Sequence, residues 1–229
     1  MKYRHIFIDL DRTLYDFDMS TRETFLEIFE KFRLSQRGVP FESFLQLYQK
    51  NNVELWEQYK RGEITKKFLN VHRFHITLKE FGIDDRAFAG RFASDYVHMS
   101  PRKKALFPNV IEVLEYLYKK YTLHIITNGF EEVQEIKIKT NELDKYFTTI
   151  TTSEEAGAKK PDLKIFLYAL YKAGAKPEES LMIGDDLEVD IKGARQAGID
   201  GLFCNFDNIS HDENTTFEVK EMLEIRGIL

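Results

Sequence analysis

The C-terminal half of the chain alternates between short strand-like segments and segments with helical periodicity. Four segments have the length expected of buried strands, at 123–126, 147–152, 180–183 and 201–205. Helices are predicted around them, at 108–117, 131–140, 163–173, 189–197 and 216–225. Short strands that alternate with helices predict a parallel sheet covered by helices on both faces.

The apolar run Ile6-Phe7-Ile8 adds a strand to this sheet from the N-terminus. Residues 16–101 separate it from the second strand and are predicted to be helical throughout, with aromatic side chains recurring on single helix faces. We therefore predict an α/β fold, a Rossmann-like doubly wound parallel sheet formed by 1–15 and 102–229, with an all-helical domain inserted at 16–101. No Gly-x-Gly-x-x-Gly pattern follows the first strand, which argues against dinucleotide binding.

Composition and charge exclude several classes of protein. A net charge of −5 and the absence of a basic stripe argue against a nucleic-acid-binding protein. No run approaches the length of a membrane span, and no secretory leader is recognisable at the N-terminus. The single cysteine, Cys204, lies in an apolar run and is predicted to be a buried strand residue in a reducing compartment. We expect a cytoplasmic protein with no nucleic-acid or membrane partner, either a monomer or a homodimer.

Polar residues follow or precede the core segments at four places. They are Asp9, Asp11 and Thr13, then Thr127, Asn128 and Gly129, then Lys159 and Lys160 before Pro161, and finally Gly184, Asp185, Asp186 and Asp190. Each group alone is typical of a turn or a helix cap. The carboxyl ends of parallel strands open on the same side of a sheet, so together they predict one polar crevice.

The residue types in this crevice favour a divalent cation and a phosphate group. Mg²⁺ prefers hard oxygen ligands and usually takes one or two protein carboxylates, which Asp9 and Asp185 could supply. Several carboxylates in one crevice repel one another, and a cation and a lysine relieve that repulsion. The Thr127 hydroxyl can donate to a phosphoryl oxygen, and Gly129 permits close approach of the backbone.

The four motifs resemble those of the haloacid dehalogenase superfamily of phosphohydrolases. They are Asp9-Leu10-Asp11-Arg12-Thr13, Thr127-Asn128-Gly129, Lys160-Pro161, and Gly184-Asp185 with Asp190. The helical insertion is similar to the family's first cap type, C1. Residues 9–18 and 153–161 resemble the pyrimidine 5′-nucleotidase branch, although Arg12 stands where that branch is expected to have histidine, and Tyr15 where it is expected to have tryptophan.

The resemblance implies a role for each carboxylate of the crevice. Asp9 is expected to attack phosphorus and form an aspartyl-phosphate, and Asp11 to act as general acid and then general base. Asp9, Asp185 and the backbone carbonyl of Asp11 are expected to bind Mg²⁺. The residues expected to orient these ligands from outside are Asp190, Asp186 and Thr13.

The resemblance also implies how the phosphoryl group is held. Thr127, with backbone groups of Asn128 and Gly129, is expected to bind it. Lys160 is expected to offset charge on the nucleophile and the phosphate, with Lys159 as the neighbouring alternative. Lys160 is favoured because it directly precedes the proline, as in the family pattern.

The expected activity is Mg²⁺-dependent hydrolysis of a small phosphorylated metabolite. Dehalogenases of the superfamily lack an acid at the position of Asp11, so phosphate transfer is favoured over carbon–halogen cleavage. Nucleoside 5′-monophosphates are the leading substrates, with sugar phosphates or other small metabolites as the alternative. A phosphomutase and a catalytically silent binding protein are less favoured. The cap is expected to exclude water and select the leaving group.

Overall fold

A six-stranded parallel sheet forms the centre of the larger of two compact units. The computed structural model describes residues 2–229, and this unit comprises the residues through Phe17 together with Lys104–Leu229. The strands are β1 (His5–Ile8), β2 (Thr122–Thr127), β3 (Phe147–Thr152), β4 (Ser180–Gly184), β5 (Asp200–Cys204) and β6 (Phe217–Val219). Their order in the sheet is β3-β2-β1-β4-β5-β6, and all neighbouring pairs are parallel. The predicted doubly wound α/β fold is confirmed.

Helices cover both faces of this sheet because its side chains alternate between two apolar cores. Ile6 and Ile8 of β1 belong to one core, which includes Leu114 of the helix after the inserted unit, whereas Phe7 packs in the other core with Phe166. The helices of this unit are α5 (Val110–Tyr118), α6 (Glu131–Thr140), α7 (Ser153–Ala156), α8 (Leu163–Ala173), α9 (Gly193–Gln196) and α10 (Ile225–Ile228). A π-helical segment, Leu187–Lys192, precedes α9. Cys204 is buried in β5, as predicted.

The C-terminal segment differs from the prediction. The helix predicted at 216–225 is wrong, because Phe217–Val219 forms β6, which pairs in parallel with β5 at the edge of the sheet. Only the short helix α10 follows, after a 3₁₀ turn at Met222–Glu224. Val219, Met222 and Ile225 are all buried, so their helix-like spacing arises from a strand, a turn and a helix that cover the same core.

The second unit, Asp18–Lys103, is all-helical and has its own aromatic core. Its helices are α1 (Phe17–Lys31, whose first residue precedes the unit), α2 (Phe41–Lys60), α3 (Lys66–Glu80) and α4 (Arg86–Met99). The Phe25 ring is central to this core and packs edge-on against Phe44 and Tyr48 at centroid distances of 5.2 and 4.7 Å. No helix among residues 2–229 combines the length and apolar character needed to span a bilayer.

Two histidines pack against each other across β1 and β2. His5 Nδ1 lies 3.1 Å from His124 Nε2, and His124 Nδ1 lies 2.8 Å from the Thr149 hydroxyl. The Phe7 ring stacks on His124 at 4.7 Å. Burial lowers the pKa of His124 from 6.5 to about 4, and it also lowers the pKa of His5.

His124 should make the folded state sensitive to mild acid. Its pKa is lower in the folded than in the unfolded chain, so the unfolded chain takes up the proton first. The free energy of unfolding is therefore highest above pH 6.5 and decreases as the pH falls toward 4. We expect wild-type protein to lose about 1 kcal/mol more than His124→Gln between pH 7 and 5.5, or about 2–4 °C in melting temperature. Thermal unfolding monitored by circular dichroism would measure this. The exposed His98, changed to Gln, is the matched control; equal pH slopes in all three proteins would contradict the expectation.

Candidate active site

The loop after β1 places two carboxylates in different surroundings. Asp9 continues β1, and its amide donates to the Ile183 carbonyl of β4 at 2.9 Å. Arg12 then adopts a left-handed backbone conformation, with φ of 65°, and its amide donates to the Tyr15 carbonyl at 2.7 Å. This tight turn separates Asp11 from Thr13, whose hydroxyl donates to Asp185 Oδ1 at 3.0 Å.

The ammonium group of Lys160 connects two buried carboxylates. Its Nζ donates to Asp9 Oδ1 and to Asp190 Oδ1, each at 2.6 Å, and the lysine is only 2% exposed. Burial alone would lower the pKa of Lys160, but the carboxylates of Asp190 and Asp9 outweigh it and raise that pKa above its ordinary value. Lys160 therefore holds its positive charge inside the protein.

The loop after β4 supplies the remaining acids. Asp190 Oδ2 accepts from the Asp186 amide at 3.2 Å, so both of its oxygens have protein partners. Asp186 Oδ1 instead accepts from the amides of Glu188 and Val189, each at 3.0 Å, which caps the π-helical segment. A Cβ at Gly184 would lie 2.3 Å from Asp190 Oδ2, so only glycine leaves room for this packing.

The acidic cluster fits a divalent cation. One oxygen each from Asp9, Asp185 and Asp190 lies within 4.8 Å of the others. Burial raises the pKa values of Asp9 and Asp185, and repulsion from the neighbouring carboxylates adds to this effect, while Lys160 opposes it. Among residues 2–229, Asp9 Oδ2 and Asp185 Oδ2 accept no hydrogen bond, whereas Asp190 is fully engaged. Asp9 and Asp185 therefore each have an oxygen that can bind a metal ion, whereas Asp190 orients Lys160.

The loop after β2 positions both Thr127 and Lys160. The Asn128 side chain donates to the Lys160 carbonyl at 3.0 Å and accepts from the Lys160 amide at 2.8 Å. The Thr127 hydroxyl oxygen accepts from the Gly129 amide at 3.1 Å. Lys160 is fixed in this way by the second motif, whereas its neighbour Lys159 is only half-buried.

Two further polar side chains, which sequence reasoning missed, reach this site from α6. Gln134 Nε2 donates to Asp11 Oδ2 at 2.9 Å and to Thr127 Oγ1 at 2.7 Å. Lys137 Nζ donates to Asp11 Oδ1 and lies 4.8 Å from the centre of the Tyr15 ring. Both side chains are buried, and a Cβ at Gly129 would lie 2.2 Å from Gln134 Nε2.

The contacts of Gln134 determine what the Thr127 hydroxyl can do. The oxygen of this hydroxyl accepts two hydrogen bonds, from Gln134 and from the Gly129 amide. Its proton is consequently available to donate. Lys137 meanwhile supplies a positive charge to Asp11, separate from the charge that Lys160 supplies to Asp9.

The predicted site residues come together in two connected groups. The first contains Asp9, Thr13, Lys160, Asp185 and Asp190. The second contains Asp11, Thr127 and Gly129, joined through Gln134. Asn128 joins the first group through the backbone of Lys160, whereas the Asp186 carboxylate is taken up by helix capping.

Replacing Lys160 should destabilise the protein through its unpaired carboxylates. Lys160→Met leaves Asp9 and Asp190 buried without their cation, and we expect a loss of about 3–5 kcal/mol in unfolding free energy at pH 8. The loss should shrink at pH 5, where the carboxyl groups can take up protons. Urea denaturation at both pH values would measure it. Lys176→Met, at an exposed position, is the control and should stay within about 0.5 kcal/mol of wild type. Equal losses in the two variants would be inconsistent with the shared ion pair.

Known proteins resemble this chain over nearly its whole length. It is 32% identical to the pyrimidine 5′-nucleotidase YjjG of Escherichia coli (strain K12), over 100% of this chain and 99% of the relative. It is 30% identical to a glyceraldehyde 3-phosphate phosphatase of Methanothermobacter thermautotrophicus, over 87% and 84%. The crystal structure of the HAD-hydrolase YfnB from Bacillus subtilis, bound to magnesium, superposes with a TM-score of 0.88 at 26% identity, covering 100% and 99%.

A family model agrees with these similarities. The model described as haloacid dehalogenase-like hydrolase matches residues 6–203, which run from within β1 to within β5 and contain all four polar loops. The chain belongs to the haloacid dehalogenase-like hydrolases.

Proposed function

We propose that this chain is a Mg²⁺-dependent phosphomonoester hydrolase that acts on nucleoside 5′-monophosphates through a covalent intermediate on Asp9. The observation that carries the proposal is that the two carboxylates after β1 have different hydrogen-bond partners. Asp9 is held by Lys160 beside Asp185 and Asp190, whereas Asp11 is held by Gln134 and Lys137. Two acids with different partners suit a nucleophile and a proton donor.

The nucleophilic step would use one oxygen of the Asp9 carboxylate, and the other oxygen would be left to the metal ion. Attack on phosphorus forms an acyl-phosphate bond and breaks the bond between phosphorus and the ester oxygen. Lys160 holds the Asp9 carboxylate in place, and the Thr127 proton is available for a phosphoryl oxygen. A Mg²⁺ ion held by Asp9, Asp185 and the Asp11 carbonyl would neutralise negative charge on the phosphate.

Proton transfer would fall to Asp11. It gives a proton to the leaving oxygen as the ester bond breaks, and it takes one from the water that hydrolyses the aspartyl-phosphate. The products are an alcohol and inorganic phosphate, and both carboxyl groups return to their starting states. Gln134 and Lys137 hold Asp11 in position through this cycle.

Nucleotides are proposed as substrates because of the similarity to the E. coli pyrimidine 5′-nucleotidase over the full length of both chains. The archaeal relative that acts on glyceraldehyde 3-phosphate supports the alternative, a sugar-phosphate substrate with the same mechanism. The two alternatives differ only in the leaving group.

A phosphate-release screen with Mg²⁺ tests the function directly. It should cover nucleoside 5′-monophosphates and sugar phosphates, and we expect the highest kcat/KM for a nucleotide. Asp9→Asn should lose all measurable release, since the amide is not a nucleophile, while its circular dichroism spectrum stays unchanged. Turnover retained in Asp9→Asn would refute the covalent mechanism, and a preference for sugar phosphates would refute the proposed substrate.

The contacts of Gln134 and Lys137 with Asp11 should affect the rate of hydrolysis most for substrates whose leaving group must be protonated. Lys137→Met removes a positioning contact of Asp11, and we expect kcat/KM, which reports the step that expels the leaving group, to fall about 10- to 100-fold with a nucleotide, at the lower end of what general acid–base catalysis contributes. With p-nitrophenyl phosphate the fall should be much smaller, because that leaving group departs without protonation.

Lys139→Met is the matched control on the same helix. Lys139 is exposed and pairs with Glu135, so this variant should behave as wild type with both substrates. Equal losses with both substrates in Lys137→Met would show that Lys137 supports the fold and does not position Asp11.

A further inference from the structure

The helical unit has an open pocket that is lined by basic and aromatic side chains. It lies between the end of α1, the turn that follows α1, and α4, and its volume is about 470 Å³. This volume is within the range of pockets that bind small ligands. All of its lining residues belong to the helical unit, and none of them is acidic or part of the Asp9 site; they are Lys31, Phe32, Arg33, Gln36, Arg37 and Phe88.

Three arginines at this pocket lack an acidic partner. Arg33 and Arg37 line the pocket, and Arg91 lies beside it, with its guanidinium carbon 5.7 Å from the centre of the Phe88 ring. Among residues 2–229, no carboxylate forms an ion pair with any of the three. Like charges that are close together repel one another, so a negatively charged ligand would relieve this repulsion.

The acidic side chains that interact with the pocket are already engaged. Asp95 pairs with Lys31 at 2.7 Å. Asp85, which interacts electrostatically with Arg91, accepts from two amides of α4 at 2.8 and 3.0 Å and caps that helix. The charges of the three arginines are consequently left for a ligand.

Aromatic rings hold Arg37 at the pocket without occupying its hydrogen-bond donors. Its guanidinium carbon lies 5.2 Å from the centre of the buried Phe88 ring, which packs edge-on against Phe32 at a centroid distance of 5.1 Å. A guanidinium group that rests on a ring keeps its N–H groups free to donate. Within residues 2–229, the Arg37 side chain donates no hydrogen bond.

The backbone at Arg33 gives no reason for an arginine there. Arg33 has a left-handed conformation, with φ of 52°, and its amide donates to the Glu30 carbonyl at 3.1 Å. Glycine and asparagine adopt this conformation at lower cost than a long side chain does. The contribution of Arg33 therefore comes from its side chain, which lines the pocket.

We propose that this pocket binds a small anion with two or more linked phosphate groups, through Arg33, Arg37 and Arg91. The tetrahedral oxygens of phosphate accept from guanidinium groups that approach from different directions, whereas a planar carboxylate is matched by one arginine fork. Three arginines suit the charge of a diphosphate better than that of a single phosphate. The net charge of −5 on the whole chain disfavours a long polyanion such as nucleic acid.

Inorganic pyrophosphate is the probe for this site. EDTA should be present, so that no metal ion draws the probe to the carboxylates of the Asp9 site. We expect pyrophosphate to raise the melting temperature of the wild-type protein in a concentration-dependent way and to give a saturable heat in isothermal titration calorimetry. Inorganic phosphate should bind about 10-fold more weakly, because it can engage fewer of the guanidinium groups.

Substitutions of Arg37 test its guanidinium group. Arg37→Met should weaken pyrophosphate binding about 10- to 100-fold, the loss expected for hydrogen bonds between charged groups. Arg37→Lys should lose about 10-fold, because lysine keeps the charge but lacks the planar pair of donors. Arg61→Met is the matched control: Arg61 is exposed in the same unit and pairs with Glu63, and this variant should keep the wild-type affinity.

Arg33→Gly separates binding from folding. Glycine adopts a φ of 52° readily, so we expect this variant to melt close to wild type without ligand. Its affinity for pyrophosphate should nevertheless be about 10-fold lower.

Four results would overturn the proposal. The first is no binding of pyrophosphate by the wild-type protein, and the second is wild-type affinity in both Arg33→Gly and Arg37→Met. The third is equal affinity for citrate, which would show that the pocket selects for charge and not for linked phosphates. The fourth is tighter binding of duplex DNA that the same variants abolish. Because the site is separate from Asp9, a failure to hydrolyse nucleotides would refute the proposed function and leave this inference standing.

Discussion

The shared ammonium group of Lys160 is the interaction on which the polar crevice depends. It lies between Asp9, at the end of β1, and Asp190, in the π-helical segment after β4. Without a buried cation, neighbouring strand ends could not both carry ionised carboxylates in a low-dielectric setting. Even with Lys160, three clustered carboxylates outnumber the single ammonium group, and this excess of negative charge favours binding of a metal ion.

Local sequence signals were sufficient to predict the sheet and the place of its polar loops. Each core strand is a short run bounded by residues that end strands, and these signals do not depend on distant contacts. The prediction that Lys160, rather than Lys159, reaches the crevice rested on the family pattern, and the buried position of Lys160 agrees with it. The weakest strand, β6, was missed because three residues carry too little periodicity to oppose a helix-like spacing.

Local sequence signals could not predict the burial of the polar residues of α6 and α3, for a different reason. Gln134 and Lys137 occupy the buried face of α6 together with Ile138, but in sequence they are indistinguishable from solvated residues of an amphipathic helix. Arg73 lies among apolar residues of α3, where an arginine is ordinarily read as exposed. Only the tertiary structure reveals that these side chains are enclosed.

The position of β1 at the centre of the sheet has a consequence for the order of events during synthesis. Its two partners, β2 and β4, begin at Thr122 and Ser180, so the strand leaves the ribosome long before either partner exists. The helical unit, with its own core, is complete in sequence by Lys103 and can condense first. Until β2 is synthesised, Ile6, Phe7 and Ile8 form an unpaired apolar segment, and until β4 follows, one edge of β1 stays open to wrong pairing, which exposes the nascent chain to aggregation.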